Sequence, residues 1–455
     1  MKNLTQGNIY KRFLSFGLPL MLGGLIAQLY NIVDTAMVGK LLGEKELGAV
    51  SATSSLFKVV MCVFWGFSGG IGAYLAKLYG RQDIKGIKKT IKFVLLLYFI
   101  VSTILTVGLI VFKGPIFSLL KVDEVIVDLA IQYYMCYACG IYSFALTNVL
   151  YHMFTSTNRS VMPFVANLIS CVLNIVGNYL AIAVFNLGVF GVALSSVIAS
   201  LIVVIYYLIA LKGHLIKLNT EKGSGNLNKK EIFGYGLPCL FQQWVIYLPG
   251  FIISPFINNL GYEATSSLAV INILFTLCEQ IYVNSSRAVG IHSAQCLGEN
   301  NYARIKKGVR AGLVQEMVFV VPVVLFCIIF PNFVCDIFLD ETATPIIREH
   351  IIRYIYFCSP FILINATCSM LHSFYRGVKS LKILIFVTAL AGTIRTLVTL
   401  LCISAMQMSA VYLGWILSWA IEALVSWILY FSNKWQPKEM KKVVEIPTNE
   451  VAKAV

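Results

Sequence analysis

Charged residues are scarce in this sequence. They make up 13% of its 455 residues, whereas apolar residues make up 58%, and the mean hydropathy is +0.80. A soluble chain of this length would form about three domains with charged surfaces. This composition has too few charged residues for such surfaces. The apolar residues form about a dozen nearly uncharged blocks of roughly 20 to 28 residues, each long enough to cross a hydrocarbon layer of about 30 Å as a helix. The composition therefore predicts an all-α integral membrane protein.

The sequence also has few residues that typically carry catalysis or bind metals. Its five histidines are scattered and form no HExxH motif. Most of its 12 cysteines lie inside apolar blocks, where Cys packs as a small hydrophobe. Cys136 and Cys139 form one CxxC without the second pair that a zinc site needs. The glycine cluster in residues 66–72 precedes no GK[ST] and predicts close helix packing or a hinge. We therefore expect neither an enzyme nor a cofactor.

Twelve apolar spans can be placed between the polar breaks. They lie near residues 13–38, 46–76, 91–112, 126–154, 161–185, 188–211, 232–258, 264–293, 309–331, 348–374, 380–403 and 407–432. The longest polar connection, residues 214–231, divides the spans into two sets of six. The predicted domains are an amino-terminal lobe (1–211), a cytoplasmic linker (212–231), a carboxy-terminal lobe (232–432) and a charged tail (433–455).

The two sets of spans are internal repeats. Gly17-Leu18-Pro19 returns at residues 236–238, and the stretch 131–154 aligns with 351–374 at an offset of 220. Because each repeat has an even number of spans, both lobes enter the membrane in the same sense. Their pseudo-twofold axis should then run along the membrane normal and leave a central cleft between the lobes.

Basic residues predict the orientation in the membrane. With a cytoplasmic amino terminus, 27 of the 36 Lys and Arg residues lie in inner segments and four lie in outer segments. This bias is typical of loops retained in the cytoplasm, so both termini should be inside. It also accounts for the net charge of +15 without nucleic-acid binding. The first polar residues lead into a full-length span, and we expect no removable signal peptide.

Charged residues deep in a membrane are costly and mark candidate functional sites. Six lie within the spans: Asp34, Lys58, Glu279, Arg287, Arg395 and Glu422. Asp34 continues a polar stripe formed by Gln28 and Asn31 at helical spacing. Such a stripe faces protein or water, which makes Asp34 a candidate functional acid. The alternative is that Asp34 is a structural carboxylate whose hydrogen bonds come from neighbouring Tyr or Asn groups.

Polar groups on the fifth and sixth spans are candidates to act with Asp34. Asn174 and Asn178 are four residues apart on one helix face, and Ser195 and Ser196 follow on the next span. One carboxylate with amide and hydroxyl oxygens suits a small hard cation, whereas a proton needs only the carboxylate. Asn and Ser residues also join membrane helices as structural hydrogen-bonding groups, so three interpretations stay open.

Six residues are candidates to line the substrate cleft: Gln28, Asn31, Lys58, Gln242, Gln243 and Glu279. Lys58 and Glu279 lie at nearly matching repeat positions and are candidates for a charge pair across the cleft. The alternative is pairing within each lobe, with Glu279 paired to Arg287 or Arg395.

Four stretches together resemble the multidrug and toxic compound extrusion (MATE) family of cation-coupled exporters. They are QLYNIVDTAMVGKLLGEKELGAVSAT (28–53), GFSGGIGAYLAKLYG (66–80), LNIVGNYLAI (173–182) and GYGLPCLFQQ (234–243). The resemblance extends to about residue 432. It implies a twelve-helix, two-lobe antiporter that exports amphipathic, often cationic compounds by alternating access. Asp34 would match the family's first-span acid, and Asn174, Asn178 and Ser196 would complete a coupling-cation site, with possible Na⁺ at Asp34, Asn174 and Asn178.

The sequence departs from the family pattern at two places. Some members carry a second acid at the position of Asn178, and one branch carries an acid in the seventh span, where FQQWVIYLPGF has none. The coupling ion, Na⁺ or H⁺, therefore stays open, and a carboxy-lobe cation site of that kind is not expected. The expected location is the plasma or inner membrane, where a monomer surrounded by lipid would act on small-molecule substrates. The alternatives are a lipid-linked precursor flippase of the same superfamily and, from another class, an integral membrane enzyme.

Overall fold

A computed structural model describes residues 4–120, 125–217, 222–339 and 344–436, and every regular element in these ranges is helical. The helices of the first half are α1 (Ile9–Leu41), α2 (Glu44–Gly80), α3 (Ile84–Val111), α4 (Lys113–Leu120), α5 (Val127–Cys139), α6 (Ile141–Ser156), α7 (Val161–Tyr179) and α8 (Gly188–Lys217). Those of the second half are α9 (Lys229–Asn258), α10 (Tyr262–Gly298), α11 (Tyr302–Ile329), α12 (Pro331–Phe338), α13 (Pro345–Gly377), α14 (Leu381–Met406) and α15 (Met408–Phe431).

The helices confirm the predicted all-α membrane architecture. Eleven helices in the described residues are long and apolar enough to cross a membrane, and there are up to 12 if the bent pair α5–α6 counts as one span. This pair is the predicted fourth span, bent by 47°. The helices extend beyond the apolar blocks because backbone hydrogen bonding continues into the polar flanks: α11 begins at Tyr302, whereas the predicted ninth span begins at residue 309.

The two halves repeat each other element by element. Helices α2 and α10 both have 37 residues, α3 and α11 both have 28, and α4 and α12 both have eight. Left-handed backbone positions repeat too, since φ is 121° at Gly43 and 105° at Gly261, where α2 and α10 begin. An L side chain is strained at such a φ, which is why glycine stands at both positions. The repeat predicted from the sequence is therefore present in the backbone.

The halves differ at the fourth span. In the first half it breaks at Gly140, where a Cβ atom would lie 2.3 Å from Cγ2 of Val197 on α8. The corresponding residue 220 positions later is Pro360, inside the single helix α13. The absence of a side chain at Gly140 thus permits the close approach of α8.

The chain divides into two compact units. The amino-terminal unit is Phe16–Gln243, and the carboxy-terminal unit is Met1–Ser15 with Trp244–Val455. This division differs from the predicted lobes at the starts of α1 and α9. The start of α9 joins the amino-terminal unit because α2 packs closely against it: a Cβ atom on Gly70 would lie 2.3 Å from the carbonyl oxygen of Tyr235. In the carboxy-terminal unit, Thr5 donates a 2.8 Å hydrogen bond to Glu299.

Each unit has its own central helices. In the amino-terminal unit α2 packs on α3 and α6, and α8 packs on α5, α6 and α7. In the carboxy-terminal unit α10 packs on α11 and α13, and α15 packs on α13 and α14.

The linker is anchored to the turn between α2 and α3. Asp83 Oδ1 accepts hydrogen bonds from the backbone N–H of Gly86 at 2.8 Å and of Gly225 at 3.2 Å. Its Oδ2 accepts a hydrogen bond from Ser224 Oγ at 3.0 Å. One carboxylate therefore caps α3 and holds the segment that leads into α9.

Candidate cation site in the amino-terminal unit

The candidate site begins with a direct bond between α1 and α7. Asn178 Nδ2 donates a hydrogen bond to Oδ1 of Asp34. Asp34 is half-buried on α1, whereas Asn178 is fully buried. Asn178 lies two residues before a π-helical turn, Leu180–Val184, that ends this helix. Single π-turns often occur at functional sites.

A chain of amides extends the site to α8. Asn178 Nδ2 also donates to Asn174 Oδ1 at 2.8 Å, as their i, i+4 spacing on α7 permits. Asn174 Nδ2 donates to Ser196 Oγ at 2.8 Å, and Ser195 Oγ donates to the Asn174 carbonyl oxygen at 3.2 Å. The four residues that the sequence analysis grouped as a cation site, Asp34 with Asn174, Asn178 and Ser196, are therefore in one hydrogen-bonded network.

One oxygen of this network is unused. Asn178 Oδ1 is buried and has no hydrogen-bond partner among the described residues. Buried polar atoms are nearly always paired, so an orphaned acceptor beside a carboxylate fits a site for a cation. No cluster of three or more His, Cys, Asp or Glu residues suited to a metal occurs in the described ranges. A cation would therefore depend on one carboxylate and neutral oxygens.

Three tyrosines that the sequence analysis missed surround the acid. Tyr30, Tyr133 and Tyr137 all lie within electrostatic range of Asp34. Tyr30 shares a hydrogen bond with Ser196, and the rings of Tyr133 and Tyr137 stack at 5.5 Å between centroids. The sequence could have indicated these tyrosines, because Tyr30 is one helical turn from Asp34, and Tyr133 and Tyr137 are four residues apart on α5.

The substrate-cleft candidates differ in exposure. Asn31 and Lys58 are exposed, Gln28, Gln243 and Glu279 are half-buried, and Gln242 is buried. The Asn31 carbonyl oxygen accepts a hydrogen bond from Thr35 at 2.9 Å within α1. The assignment of these six residues to a cleft stays a prediction.

Glu279 has a charged neighbour in its own unit. Arg395 on α14 lies within electrostatic range of Glu279 and of Glu422. The guanidinium carbon of Arg395 is 5.8 Å from the centroid of the Trp415 ring. This proximity supports the pairing of Glu279 within its own half.

The glycine cluster of α2 serves helix packing. A Cβ atom on Gly66 would lie 2.5 Å from the carbonyl oxygen of Cys239. Residues 66–70 also spell GxSxG, but they lie inside α2, where Ser68 donates to the Phe64 carbonyl oxygen at 2.7 Å and bonds to Asn148. A nucleophile elbow requires a turn from strand to helix, so this match carries no hydrolase site.

The described residues form up to twelve apolar helices in two repeats, with a half-buried carboxylate and buried amides among them, and these features define a polytopic membrane transporter. The chain belongs to the MatE family, whose profile matches residues 19–180 and 238–401. Each matched stretch lies within one repeat. The family is one of transporters and not of enzymes.

Two relatives and one solved structure are consistent with membership of this family. The probable multidrug resistance protein YpnP of Bacillus subtilis (strain 168) is 25% identical over 369 residues, which is 80% of this chain and 82% of that protein. The multidrug export protein MepA of Staphylococcus haemolyticus (strain JCSC1435) is 23% identical over 287 residues, or 62% and 64% of the two chains. An outward-facing multidrug resistance MATE family transporter of the MOP superfamily has the same fold, with a TM-score of 0.87 and 18% identity over 94% of this chain and 97% of that one.

Proposed function

We propose that the protein is a cation-coupled antiporter that exports amphipathic, often cationic compounds by alternating access. The observation that carries this proposal is the contact of Asp34 with Asn178, whose side-chain Oδ1 has no hydrogen-bond partner in the part of the chain that the structure describes. The names of the relatives, a probable multidrug resistance protein and a multidrug export protein, support export as the direction of transport.

The coupling follows from the charge of Asp34. An ionised carboxylate within the membrane is costly, so it is neutralised by a cation in one stage of the cycle. Movement of the cation across the membrane in one direction would then drive movement of the drug in the opposite direction. A sodium ion would use oxygens of Asp34, Asn174 and Asn178, whereas a proton would use Asp34 alone.

We further propose that the protein acts as a monomer in the cell membrane, with lipid around its apolar helices and both termini in the cytoplasm. The distribution of basic residues supports this orientation. A Ser224→Cys variant tests it, because the linker should react with an impermeant maleimide in everted vesicles and not in intact cells. The wild-type protein measures the background from its 12 native cysteines. Labelling in intact cells would reverse the assigned orientation.

Transport in everted vesicles tests the function itself. Ethidium serves as the fluorescent substrate, and Na⁺ and H⁺ gradients are imposed separately. We expect ethidium uptake into the vesicle lumen, which corresponds to export from the cell, with one gradient and its loss in Asp34→Asn. Thr35→Val is the matched control, since Thr35 is the next residue of α1 and its hydroxyl donates to the Asn31 carbonyl oxygen within the same helix. Equal uptake without any gradient, or in Asp34→Asn, would refute coupling at this site.

A further inference from the structure

Lysines are concentrated where α3 and α9 begin. Residues 83–93 and 222–233 together hold seven lysines and two acids. Both acids are bonded to other groups, since Asp83 accepts hydrogen bonds from the linker and the start of α3, and Glu231 forms an ion pair with Lys77 at 3.2 Å. This end of the amino-terminal unit therefore carries an excess of positive charge.

Three of these lysines have no partner of opposite charge among the described residues. Lys89, Lys92 and Lys229 are exposed and form no ion pair there. Lys229 Nζ lies 5.4 Å from the centroid of the Phe93 ring, so the first residue of α9 reaches over α3. A Cβ atom on Gly225 would lie 3.7 Å from Lys89 Nζ, which places the linker beside the same part of α3. The three lysines therefore belong to one basic patch.

The exposed face of α3 changes from basic to apolar along the helix. Lys89 and Lys92 are followed by Leu96 and Ile100, at intervals of three and four residues that keep side chains on one helix face. The exposed fractions of Leu96 and Ile100 are 58% and 46%. On a helix that spans a membrane, exposed apolar side chains beyond a basic end meet the hydrocarbon of the lipid.

Helix α9 has the same pattern beside α3. Lys229, Phe233, Leu237 and Phe241 follow each other at intervals of four, and the exposed fractions of Leu237 and Phe241 are 43% and 52%. The ring centroids of Phe93 and Phe233 are 6.4 Å apart, so the two helices adjoin here. We call the stripes of α3 and α9 together the α3–α9 face. It is basic where the helices begin and apolar further along both.

The repeat reproduces only part of this face. At the offset of 218 that relates α3 to α11, the α3 stripe recurs as exposed residues Lys307, Arg310, Val314 and Val318. Phe93 corresponds to Ala311, so the ring over which Lys229 lies has no equivalent in α11. The complete arrangement therefore belongs to the amino-terminal unit.

We propose that the α3–α9 face binds an anionic phospholipid. Lys89, Lys92 and Lys229 bind the phosphate of the headgroup, and the acyl chains lie along the apolar stripes. A phospholipid fits because its charge and its apolar chains follow in the same order as the residues on both helices, and basic residues beside a membrane attract anionic lipids. A soluble anion would use the lysines alone. The bound lipid joins the start of α9 to α3, beside the bonds of Asp83 to the linker.

Native mass spectrometry of the purified full-length protein in detergent tests this site. The protein is titrated with phosphatidylglycerol and, separately, with phosphatidylcholine that has the same acyl chains. We expect wild type to bind the first phosphatidylglycerol at least about tenfold more tightly than phosphatidylcholine. The variant Lys89→Gln/Lys92→Gln/Lys229→Gln should bind phosphatidylglycerol at least about tenfold more weakly than wild type. Glycerol 3-phosphate, which has the charge without the chains, should not displace the lipid at the same concentration.

The matched control is Lys40→Gln/Lys45→Gln/Lys113→Gln. It removes three charges from exposed lysines at the opposite end of the spans, where α1 ends and where α2 and α4 begin. It should bind phosphatidylglycerol as wild type does. A photoactivatable phosphatidylglycerol then locates the site in wild type, and its cross-links should map to residues 89–100 and 229–241.

Each outcome decides the proposal. Equal affinity of wild type for the two lipids, equal weakening in both triple variants, or cross-links confined to other helices would overturn it. Displacement by glycerol 3-phosphate would overturn it too, because the site would then bind phosphate without chains. Cross-linking uses wild type and decides the proposal even if melting curves show that a triple variant does not fold. None of these measurements involves transport, so a failure of this site is distinguishable from a failure of the proposed antiporter.

Discussion

Asn178 donates a hydrogen bond to Asp34, and this contact joins the carboxylate of α1 to the last regular turn of α7. The same amide nitrogen also reaches Asn174, so the carboxylate is connected through two amides to Ser196 on α8. A change in the charge of Asp34 therefore acts on three helices of one unit at once.

Asp34→Asn should abolish coupled export while the protein stays folded. Asn has nearly the same shape and keeps an oxygen to accept the bond from Asn178, but it lacks the charge that a cation must neutralise. Ethidium binding to purified protein should weaken less than ethidium uptake by everted vesicles, which should fall to the background of vesicles without the protein. Unchanged efflux at normal expression would show that Asp34 is not the coupling residue.

Asn174→Leu and Asn178→Leu should each lower the apparent affinity for the coupling cation by about tenfold, or about 1.4 kcal/mol. Each change removes an amide oxygen from the hydrogen-bonded network that contains Asp34. The measurement is the dependence of ethidium efflux on the concentration of the coupling ion.

Asn167→Leu is the matched control for these two variants. Asn167 lies on the same helix but donates to the Gly23 carbonyl oxygen at 2.9 Å. It should lose stability without a change in cation dependence. If Asn174→Leu and Asn178→Leu behave in the same way, all three amides are structural groups only.

Gly377→Ala should destabilise the carboxy-terminal unit by about 1–3 kcal/mol through overpacking. A Cβ atom on Gly377 would lie 2.3 Å from the Gly290 carbonyl oxygen, so α10 and α13 would have to separate. Thermal melting in detergent measures the effect. Gly108→Ala on α3 is the control, since a Cβ atom there meets nothing within 4 Å, and alanine favours a helix. A melting temperature of Gly377→Ala at or above that of wild type would contradict the packing.

Asp83→Ala should release the linker from the turn between α2 and α3. The change removes a helix cap, which costs about 1 kcal/mol, together with the bonds to Ser224 and Gly225. Hydrogen exchange in residues 222–228 should accelerate, and trypsin should cleave faster after Lys222. Asp336→Ala is the control, because the pair of Asp336 with Arg348 is exposed and such pairs contribute little. Equal protection of the linker in both variants would refute the anchoring role of Asp83.

Much of the architecture was predictable from the sequence because the membrane imposes a simple requirement. A helix must be apolar over the thickness of the hydrocarbon, so its spans appear as uncharged blocks whatever surrounds them. The bend at Gly140 could not be predicted in this way. It depends on the approach of Val197, which is distant in the sequence.

The sequence by itself determined the membrane class and the repeat and singled out Asp34 as a candidate, since composition, periodicity and a charge in an apolar block are local properties. The tertiary structure decided which polar groups lie together. It placed Asn178 against Asp34, added Tyr133 and Tyr137, and brought His372 to Glu422. Such contacts join residues on different helices, and their partners depend on how those helices pack and rotate, which spacing along one helix does not specify.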